Sequence, residues 1–300
     1  MADIVQMFID QVSEKDELQN KYLRNWSVTD SEKEELNIIL TFFMEELHYD
    51  LDFIVETYLF INNMVMEETY YFIRHGRYRY STFAEVNKLV YDNHEYMEKY
   101  MMGLSISDYI WTNHIKMLRY FEKNSTIFTG ERYLEIGPGF GQYLVKAILN
   151  CNFHDYSACD VSKTSVEGTN RFLNYRNLAE KCTVQEKNFF EYTSDEKFDC
   201  IVMGEVLEHV EEPMQMLWKI NDLLEESGKA FITTVINAPT LDHIYLFGSI
   251  EEVLDMAREA GFGILDYTYA TEGDIALEKA KKRKQTINIA MILEKQQKAF

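Results

Sequence analysis

Apolar side chains recur at helical spacing through the first part of the chain. Between positions 36 and 47 they follow the i, i+3, i+4, i+7, i+11 pattern of one helix face, at Leu36, Ile39, Leu40, Phe43 and Leu47. Proline is absent from residues 1–130 and glycine occurs three times, so few positions interrupt a helix there. The pattern therefore predicts an all-helical segment over residues 1–130.

From Tyr133 onward the pattern changes to short apolar runs that alternate with helical stretches. Such alternation indicates βαβ units, a parallel sheet and helices on both of its faces. The last two runs, at 264–271 and 287–295, flank a charged insertion without a complete crossover helix, which indicates an antiparallel pair. We therefore expect an α/β domain over 131–300, with a doubly wound, Rossmann-like sheet of seven strands closed by an antiparallel hairpin.

Charge and targeting features narrow the range of partners. The chain has 50 Asp and Glu residues against 30 Lys and Arg residues, a formal net charge of −20. Because this field repels phosphate backbones and anionic lipid headgroups, we expect neither nucleic acid nor membrane as a partner. The N-terminus has no basic signal region, no apolar stretch approaches the ~18 residues of a membrane span, and the four cysteines form no C-x-x-C pair. These features predict a cytoplasmic protein with reduced thiols.

A glycine-rich run, LEIGPGFG at 134–141, ends the first predicted strand. Gly137, Gly139 and Gly141 allow a sharp turn and a close approach of a ligand, and the helix that follows presents free N–H groups. The dinucleotide fingerprint G-x-G-x-x-G needs a glycine at position 142, which is Gln142. A nicotinamide-dependent oxidoreductase is therefore disfavoured.

The run resembles motif I of the class I S-adenosylmethionine-dependent methyltransferases. This resemblance implies that Glu135 and the three glycines bind the methionine and ribose part of the cofactor. Asp160, at the end of the second predicted strand, is then expected to bind the ribose hydroxyls, with an N-terminal cap of the next helix as its alternative role. Asn188 and Phe189 follow the third strand, where the family often has Asp and an apolar residue that bind adenine. Asn188 departs from that pattern but retains a carbonyl acceptor.

The run at 198–210, followed by Pro213, is similar to the motif after strand four in the small-molecule, ubiquinone-biosynthesis-like branch of this family. The resemblance implies that Glu205 contacts the cofactor and that Glu208 and His209 face the substrate. His209 is expected to act as a general base, and His243 is a second candidate. The alternatives are a divalent ion bound by the E-x-x-E-H group and a purely structural role. We assign no metal ligands.

The resemblance covers about 130–295 and leaves the helical region outside the common core. A segment from 96 to 120, rich in Tyr, Met, Trp and His, is expected to form a lid, with Tyr109 and His114 in the substrate pocket. The expected activity is methyl transfer from S-adenosylmethionine to an oxygen or nitrogen of a small metabolite enclosed by residues 1–130. The alternatives are a protein or peptide methyltransferase with an open cleft, and a non-catalytic cofactor-binding module. The helical region is also a candidate homodimer interface.

Overall fold

The computed structural model describes residues 3–296. From Ile4 to Ile127 the chain forms helices joined by short loops and no strand, as the periodicity predicts, and further helices alternate with the strands. Within the described residues the α-helices are α1 (Ile4–Lys15), α2 (Glu17–Leu23), α3 (Asp30–Glu45), α4 (Leu51–His75), α5 (Phe83–Asn87), α6 (His94–Ile110), α7 (Thr112–Asn124), α8 (Gln142–Asn150), α9 (Lys163–Tyr175), α10 (Pro213–Leu223), α11 (Ile250–Glu259) and α12 (Leu277–Arg283).

Between residues 3 and 296, seven strands form one mixed sheet in the order β3-β2-β1-β4-β5-β7-β6. The first five are parallel, and β7 pairs antiparallel with both β5 and β6. The predicted doubly wound sheet with its antiparallel closing pair is confirmed. The strands are β1 (Arg132–Ile136), β2 (Asp155–Asp160), β3 (Cys182–Glu186), β4 (Phe198–Gly204), β5 (Leu224–Ile236), β6 (Phe262–Thr271) and β7 (Ile287–Lys295).

Local signals explain where the N-terminal helices begin and end. Thr29 caps α3: its hydroxyl accepts from the Glu32 N–H, while the Glu32 carboxylate accepts from the Thr29 N–H. Gly76 ends α4 in the left-handed conformation. The close contact of α4 and α6 depends on Gly103, where a Cβ would overlap the side chain of Ile61. The ends of these helices and the contact between α4 and α6 therefore depend on residues that can be identified in the sequence.

Both faces of the sheet are buried, and neighbouring residues of β4 point to opposite faces and join different hydrophobic clusters. Cys200 and Val202 join a hydrophobic cluster that includes the N-terminal helices, whereas Ile201 and Met203 join a cluster on the other face. The N-terminal helices thus pack on one side of the sheet and its helices. An example is the edge-to-face contact between the α3 ring of Phe42 and a ring of α9, with centroids 5.0 Å apart.

The charged insertion between β6 and β7 contains the short helix α12, which the sequence pattern did not indicate. The helix lies within a hairpin connection, so the two strands still run antiparallel. Its basic residues are solvated, apart from a partly buried Lys281. No helix within residues 3–296 combines the length and the apolar character needed to cross a membrane.

Candidate functional site

A cavity of about 830 Å³ lies between the N-terminal helices and the carboxyl ends of the strands. Its wall includes residues of α2, α4, α6 and α7 and of the loops after β1 to β5. The strand order reverses between β1 and β4, and ligands of open α/β sheets bind at this kind of switch point. The volume lies toward the upper end of the range that is usual for small-molecule sites, roughly 300–1,000 Å³.

The glycine-rich loop after β1 forms one wall of the cavity through Gly137 and Gly139. Its three glycines have φ values of +66°, +57° and +84°, which disfavour other residues. A Cβ at Gly139 would meet no atom within 4 Å, so that backbone is open to a ligand. Gly141 is not on the wall but caps α8, whose first N–H groups point toward the loop. The loop fits the cofactor expected from the sequence.

Glu135 lies beneath this loop and is almost fully buried, although it reaches the cavity. The hydroxyl of Tyr133 donates to its Oε2 at 2.6 Å. Burial raises the pKa of Glu135 to about 8, so the neutral carboxyl predominates at neutral pH in the ligand-free protein.

The loops after β2 and β3 supply the predicted nucleoside-binding residues. Asp160 lines the cavity and accepts from the Ser162 N–H at 2.8 Å, while Ser162 itself caps α9. The capping role considered for Asp160 therefore belongs to Ser162. Burial raises the pKa of Asp160 to about 6. Asn188 and Phe189 also line the cavity, and Asn188 Oδ1 accepts from the N–H of Phe190 at 2.9 Å.

Glu205 follows β4 directly and has a φ of +54°, an uncommon conformation for a residue other than glycine. Its Oε2 accepts from Asn288 at 3.2 Å, and Asn288 in turn accepts from Asn113 at 2.7 Å. Its Oε1 is buried without a hydrogen-bond partner in the described part of the chain. Burial raises the pKa of Glu205, and the nearby His114 partly counters that rise. A cationic ligand at this carboxylate would therefore gain a strong interaction.

His209 and Asp242 form an ion pair that also binds the helical region. Nδ1 of His209 lies 3.2 Å from Oδ2 of Asp242 and 3.0 Å from the Tyr91 hydroxyl. Tyr100 donates to the other oxygen of Asp242 at 2.9 Å, and Thr240 does the same. Burial alone would lower the pKa of His209, but the Asp242 carboxylate raises it to about 9. His209 is thus an imidazolium at neutral pH, which does not suit the expected general base.

His243 lies beside His209, with ring centroids 4.7 Å apart, and is in the opposite protonation state. Burial and the charge of His209 lower the pKa of His243 to about 3. A neutral imidazole that donates through Nδ1 to the Ala238 carbonyl at 2.5 Å keeps an unprotonated Nε2. His243 lines the cavity and can accept a hydrogen bond there, but its low pKa makes it a weak base.

Glu208, expected to face the substrate, is fully buried and is not on the cavity wall. Its Oε2 accepts from Thr234 at 2.7 Å, and its Oε1 is 3.9 Å from Nε2 of His243. Because Glu208 follows β4 in a short 3-10 turn with His209, the turn directs the two side chains differently. Burial and the charge of Glu205 raise the pKa of Glu208.

Glu208, His209 and His243 place one potential ligand atom each within 4.8 Å of one another. One carboxylate and two imidazoles, one of them backed by Asp242, form a donor set that divalent cations use. The set differs from the E-x-x-E-H group because His243 joins it and Glu205 is held by Asn288. In the ligand-free protein the raised pKa values of Glu208 and His209 favour a proton on each, which a cation must displace.

The predicted lid contributes a different face from the one expected. Tyr109 is buried away from the cavity, and the Lys146 ammonium lies 5.6 Å from its ring centroid. Helical periodicity explains the difference, because the wall residues of α6 follow one face of the helix. These residues are Met97, Tyr100, Met101, Leu104, Ser105 and Asp108. His114 lines the cavity as expected, with Nδ1 3.6 Å from Oδ1 of Asp108.

Sequence reasoning missed four wall residues that organise the site: Asp108, Tyr91, Tyr100 and Asp242 as an ion-pair partner. The tyrosines belong to a large set with no distinguishing spacing. Asp242 had one usable signal, since it directly precedes a candidate histidine in a loop after a parallel strand. Apart from Thr240, its partners lie more than 30 residues away along the chain, so its role depends on the tertiary structure.

Comparison with known proteins gives consistent results. A family described as "Methyltransferase domain" matches residues 112–267, more than half of the chain. The chain is 28% identical over 144 residues to the ubiquinone biosynthesis O-methyltransferase of Actinobacillus pleuropneumoniae, covering 46% of this chain and 60% of that protein. It is 27% identical over 161 residues to the enzyme of the same description from Coxiella burnetii, covering 52% and 64%. The chain therefore spans less than two thirds of the length of these relatives.

Solved structures show the same fold at low sequence identity. The mitomycin 7-O-methyltransferase MmcR aligns with a TM-score of 0.53 and 11% identity, covering 78% of this chain and 68% of that one. A chain in the complex between the Haloferax volcanii Trm112 methyltransferase activator and a methyltransferase aligns with a TM-score of 0.54 and 12% identity, covering 70% and 99%. At this identity the likeness concerns the fold alone.

Proposed function

The chain belongs to the class I S-adenosylmethionine-dependent methyltransferases, and from this premise we propose that it methylates an oxygen or nitrogen atom of a small molecule enclosed under its N-terminal helices. One observation carries the proposal. Residues of the cofactor motifs, the His209–Asp242 pair and the helical tyrosines all line a single cavity. A peptide substrate would need an open cleft, and the residues that α2, α4 and α6 contribute to the cavity wall favour an enclosed small molecule instead.

The family resemblance and the geometry support the same placement of the cofactor. The glycine-rich loop would follow its methionine and ribose part, Asp160 would accept from the ribose hydroxyls, and Asn188 with Phe189 would border the adenine. When bound, S-adenosylmethionine supplies an electrophilic methyl group on a sulfonium. The protein's own task is then to align the acceptor atom and to exclude water.

The protonation states suggest how the acceptor is held. The imidazolium of His209 uses Nδ1 for Asp242, so its Nε2–H can donate to an acceptor oxygen and stabilise negative charge on it. Nε2 of His243 can accept a hydrogen bond from a substrate hydroxyl or amine. We propose these two roles in place of the general base, and we assign no reaction step to a metal. A divalent ion bound by Glu208, His209 and His243 would lower the pKa of a substrate hydroxyl.

We also propose that residues 1–130 act as the cap and residues 131–300 as the catalytic domain. The cap is tied to the site through Asp242, which accepts from Tyr91 and Tyr100. Homodimerisation through the cap remains part of the proposal, and sedimentation of the full chain tests it.

The decisive experiment is incubation with methyl-labelled S-adenosylmethionine and a cell extract, followed by mass spectrometry of small-molecule and protein fractions. Gly139→Val should abolish labelling, because the side chain would enter the cavity from a strained backbone position. Gly76→Val is the matched control: its φ of +69° imposes similar strain at the end of α4, and neither Gly76 nor its chain neighbours line the cavity. Labelled protein instead of a metabolite would favour the peptide alternative. Cofactor binding without any labelled product would favour a non-catalytic module.

A further inference from the structure

The two carboxylate oxygens of Asp242 have separate sets of partners. Oδ1 accepts from the hydroxyl of Tyr100, on α6, at 2.9 Å and from the hydroxyl of Thr240, two residues earlier in the chain, also at 2.9 Å. Oδ2 faces Nδ1 of His209 at 3.2 Å and accepts from the hydroxyl of Tyr91 at 3.2 Å. The donors on Oδ1 therefore fix the carboxylate so that Oδ2 is the oxygen turned toward His209.

The position of Oδ2 in turn affects the direction of the His209 ring. Nδ1 of His209 has two further oxygens within reach, the Tyr91 hydroxyl at 3.0 Å and the Asp242 carbonyl at 3.2 Å. Because three oxygens compete for one N–H, a rotation of the carboxylate would let the ring turn toward another of them. A carboxylate held at Oδ1 removes this freedom. The second ring nitrogen, Nε2, then points in one direction.

Tyr100 is well placed to hold the carboxylate. Its side chain is 5% exposed and that of Asp242 1% exposed, so their hydrogen bond is shielded from water. The ring of Tyr100 stacks on the ring of Tyr96, one turn earlier in α6, with an angle of 26° between the planes. The hydroxyl of Tyr96 is buried and has no hydrogen-bond partner in the described part of the chain. Of this stacked pair, Tyr100 is the one whose hydroxyl reaches Asp242.

Attachment of the N-terminal helices does not depend on the Tyr100 hydroxyl. Glu35 of α3 accepts from both terminal guanidinium nitrogens of Arg176, which follows α9, at 2.6 and 3.2 Å. Asn113 of α7 donates to Asn288 of β7 at 2.7 Å. Loss of the Tyr100 hydroxyl should therefore leave these helices in place and act mainly on the carboxylate that it holds.

We propose that Tyr100 is a positioning residue for methyl transfer, which orients the ring of His209 toward the acceptor through Asp242. The inference rests on the proposed function, because it assumes that the Nε2–H of His209 contacts the acceptor. It gives the N-terminal helices a part in the geometry of the reaction as well as in enclosing the substrate. Since a misplacement of about 1 Å can slow a reaction about 100-fold, a fixed direction of this ring has a measurable effect.

The orientation of His209 can be measured by NMR without an acceptor. In protein with isotope-labelled histidine, Tyr100→Phe should shift or broaden the Nδ1 resonance of His209, because Phe keeps the ring and removes the hydroxyl that holds Asp242. The resonance is identified by its absence in His209→Gln. Tyr96→Phe is the matched control, since it makes the same chemical change in the same stacked pair and removes no hydrogen bond. It should leave the resonance unchanged.

Rates test the effect of this orientation on the reaction. With methyl-labelled S-adenosylmethionine and a cell extract, Tyr100→Phe should lower the maximal rate of label transfer about tenfold, the lower end of the range for a hydrogen bond to a charged group. The KM for the cofactor should change less than about twofold, because the reaction geometry is altered and the cofactor site is not. Tyr96→Phe should change neither quantity.

The two measurements must agree when label is transferred. A shifted resonance with an unchanged rate, a reduced rate with an unchanged resonance, or an equal effect of Tyr96→Phe would each overturn the proposal. If Tyr100→Phe does not fold, Thr240→Ala takes its place in both measurements, because it removes the other donor to Oδ1. If the unmodified protein transfers no label, the proposed function fails, and the resonance comparison alone decides the orienting effect of Tyr100 on His209.

Discussion

Asp242→Asn is the substitution that most directly tests the electrostatics of the site. Asn keeps the shape of the side chain and can still accept from Tyr100 and Thr240, so the change removes mainly the negative charge beside His209. Asp242 is 1% exposed and the His209 side chain 15%, so solvent screens this pair weakly. The imidazolium should therefore depend on the Asp242 charge.

The magnitude follows from the pKa of His209. Asp242 and the surrounding hydrogen bonds raise it from 6.5 to about 9, against the effect of burial. At 1.36 kcal/mol per unit, this favours the charged imidazole by about 3 kcal/mol. Because the folded-state pKa exceeds the unfolded one, this stability is fully present below pH 6.5 and is lost as the pH rises through about 9. The variant should thus lose about 3 kcal/mol at pH 6, progressively less as the pH rises from 6.5 toward 9, and little above pH 9.

Two measurements on metal-free protein check this prediction. Selective histidine labelling and NMR should show the pKa of His209 falling below 6.5 in Asp242→Asn, with His209→Gln identifying the resonance. Urea unfolding at several pH values should show that the free energies of unfolding of the unmodified protein and of Asp242→Asn become more similar as the pH rises. Tyr91→Phe is the matched control, because it removes a neighbouring hydroxyl but keeps the charge pair. An unchanged pKa in Asp242→Asn, or a stability loss that does not vary with pH, would refute the reasoning.

Three further outcomes are expected. Methyl transfer should decline as the pH rises through about 9, where His209 loses the proton proposed to hold the acceptor; a rate that continues to increase there would favour a general base. Gly137→Ala should weaken S-adenosylhomocysteine binding at least tenfold in calorimetry, because φ at this position is +66° and the new Cβ would lie 2.7 Å from Cγ2 of Val206. Adding Val206→Ala should restore part of the affinity. Chelation should leave activity unchanged; a loss that Mg²⁺ reverses would assign a metal to Glu208, His209 and His243.

The fold was largely predictable because its signals are local. Helical spacing in residues 1–130 and the strand–helix alternation after Tyr133 depend on neighbours within a few positions of each other. The glycine-rich loop was predictable for the same reason, because its three positive φ values require glycines that lie within five consecutive residues, 137–141. Helix α12 was missed because charged residues in a seven-residue helix give no apolar periodicity.

The contribution of the N-terminal helices to the site was not predictable, because it depends on contacts between distant positions. Tyr91 contacts His209 and Asp242 across 118 and 151 residues, and Tyr100 contacts Asp242 across 142. Tyr109 was chosen from composition alone. The packing of α6 on its neighbours determines which face of this helix is turned toward the cavity. Asp108 lies on that face and Tyr109 does not.

The two histidines show why residue type alone did not define their roles. His209 and His243 are nearly equally buried and their rings touch, yet their pKa values move to about 9 and about 3. The difference arises from Asp242, which is aligned with Nδ1 of His209, whereas Nδ1 of His243 faces the Ala238 carbonyl, a neutral acceptor. Once His209 is charged, its field further opposes protonation of His243. A proton donor and a proton acceptor thus stand side by side in the cavity wall, and an acceptor molecule that carries both a donor and an acceptor group would satisfy both.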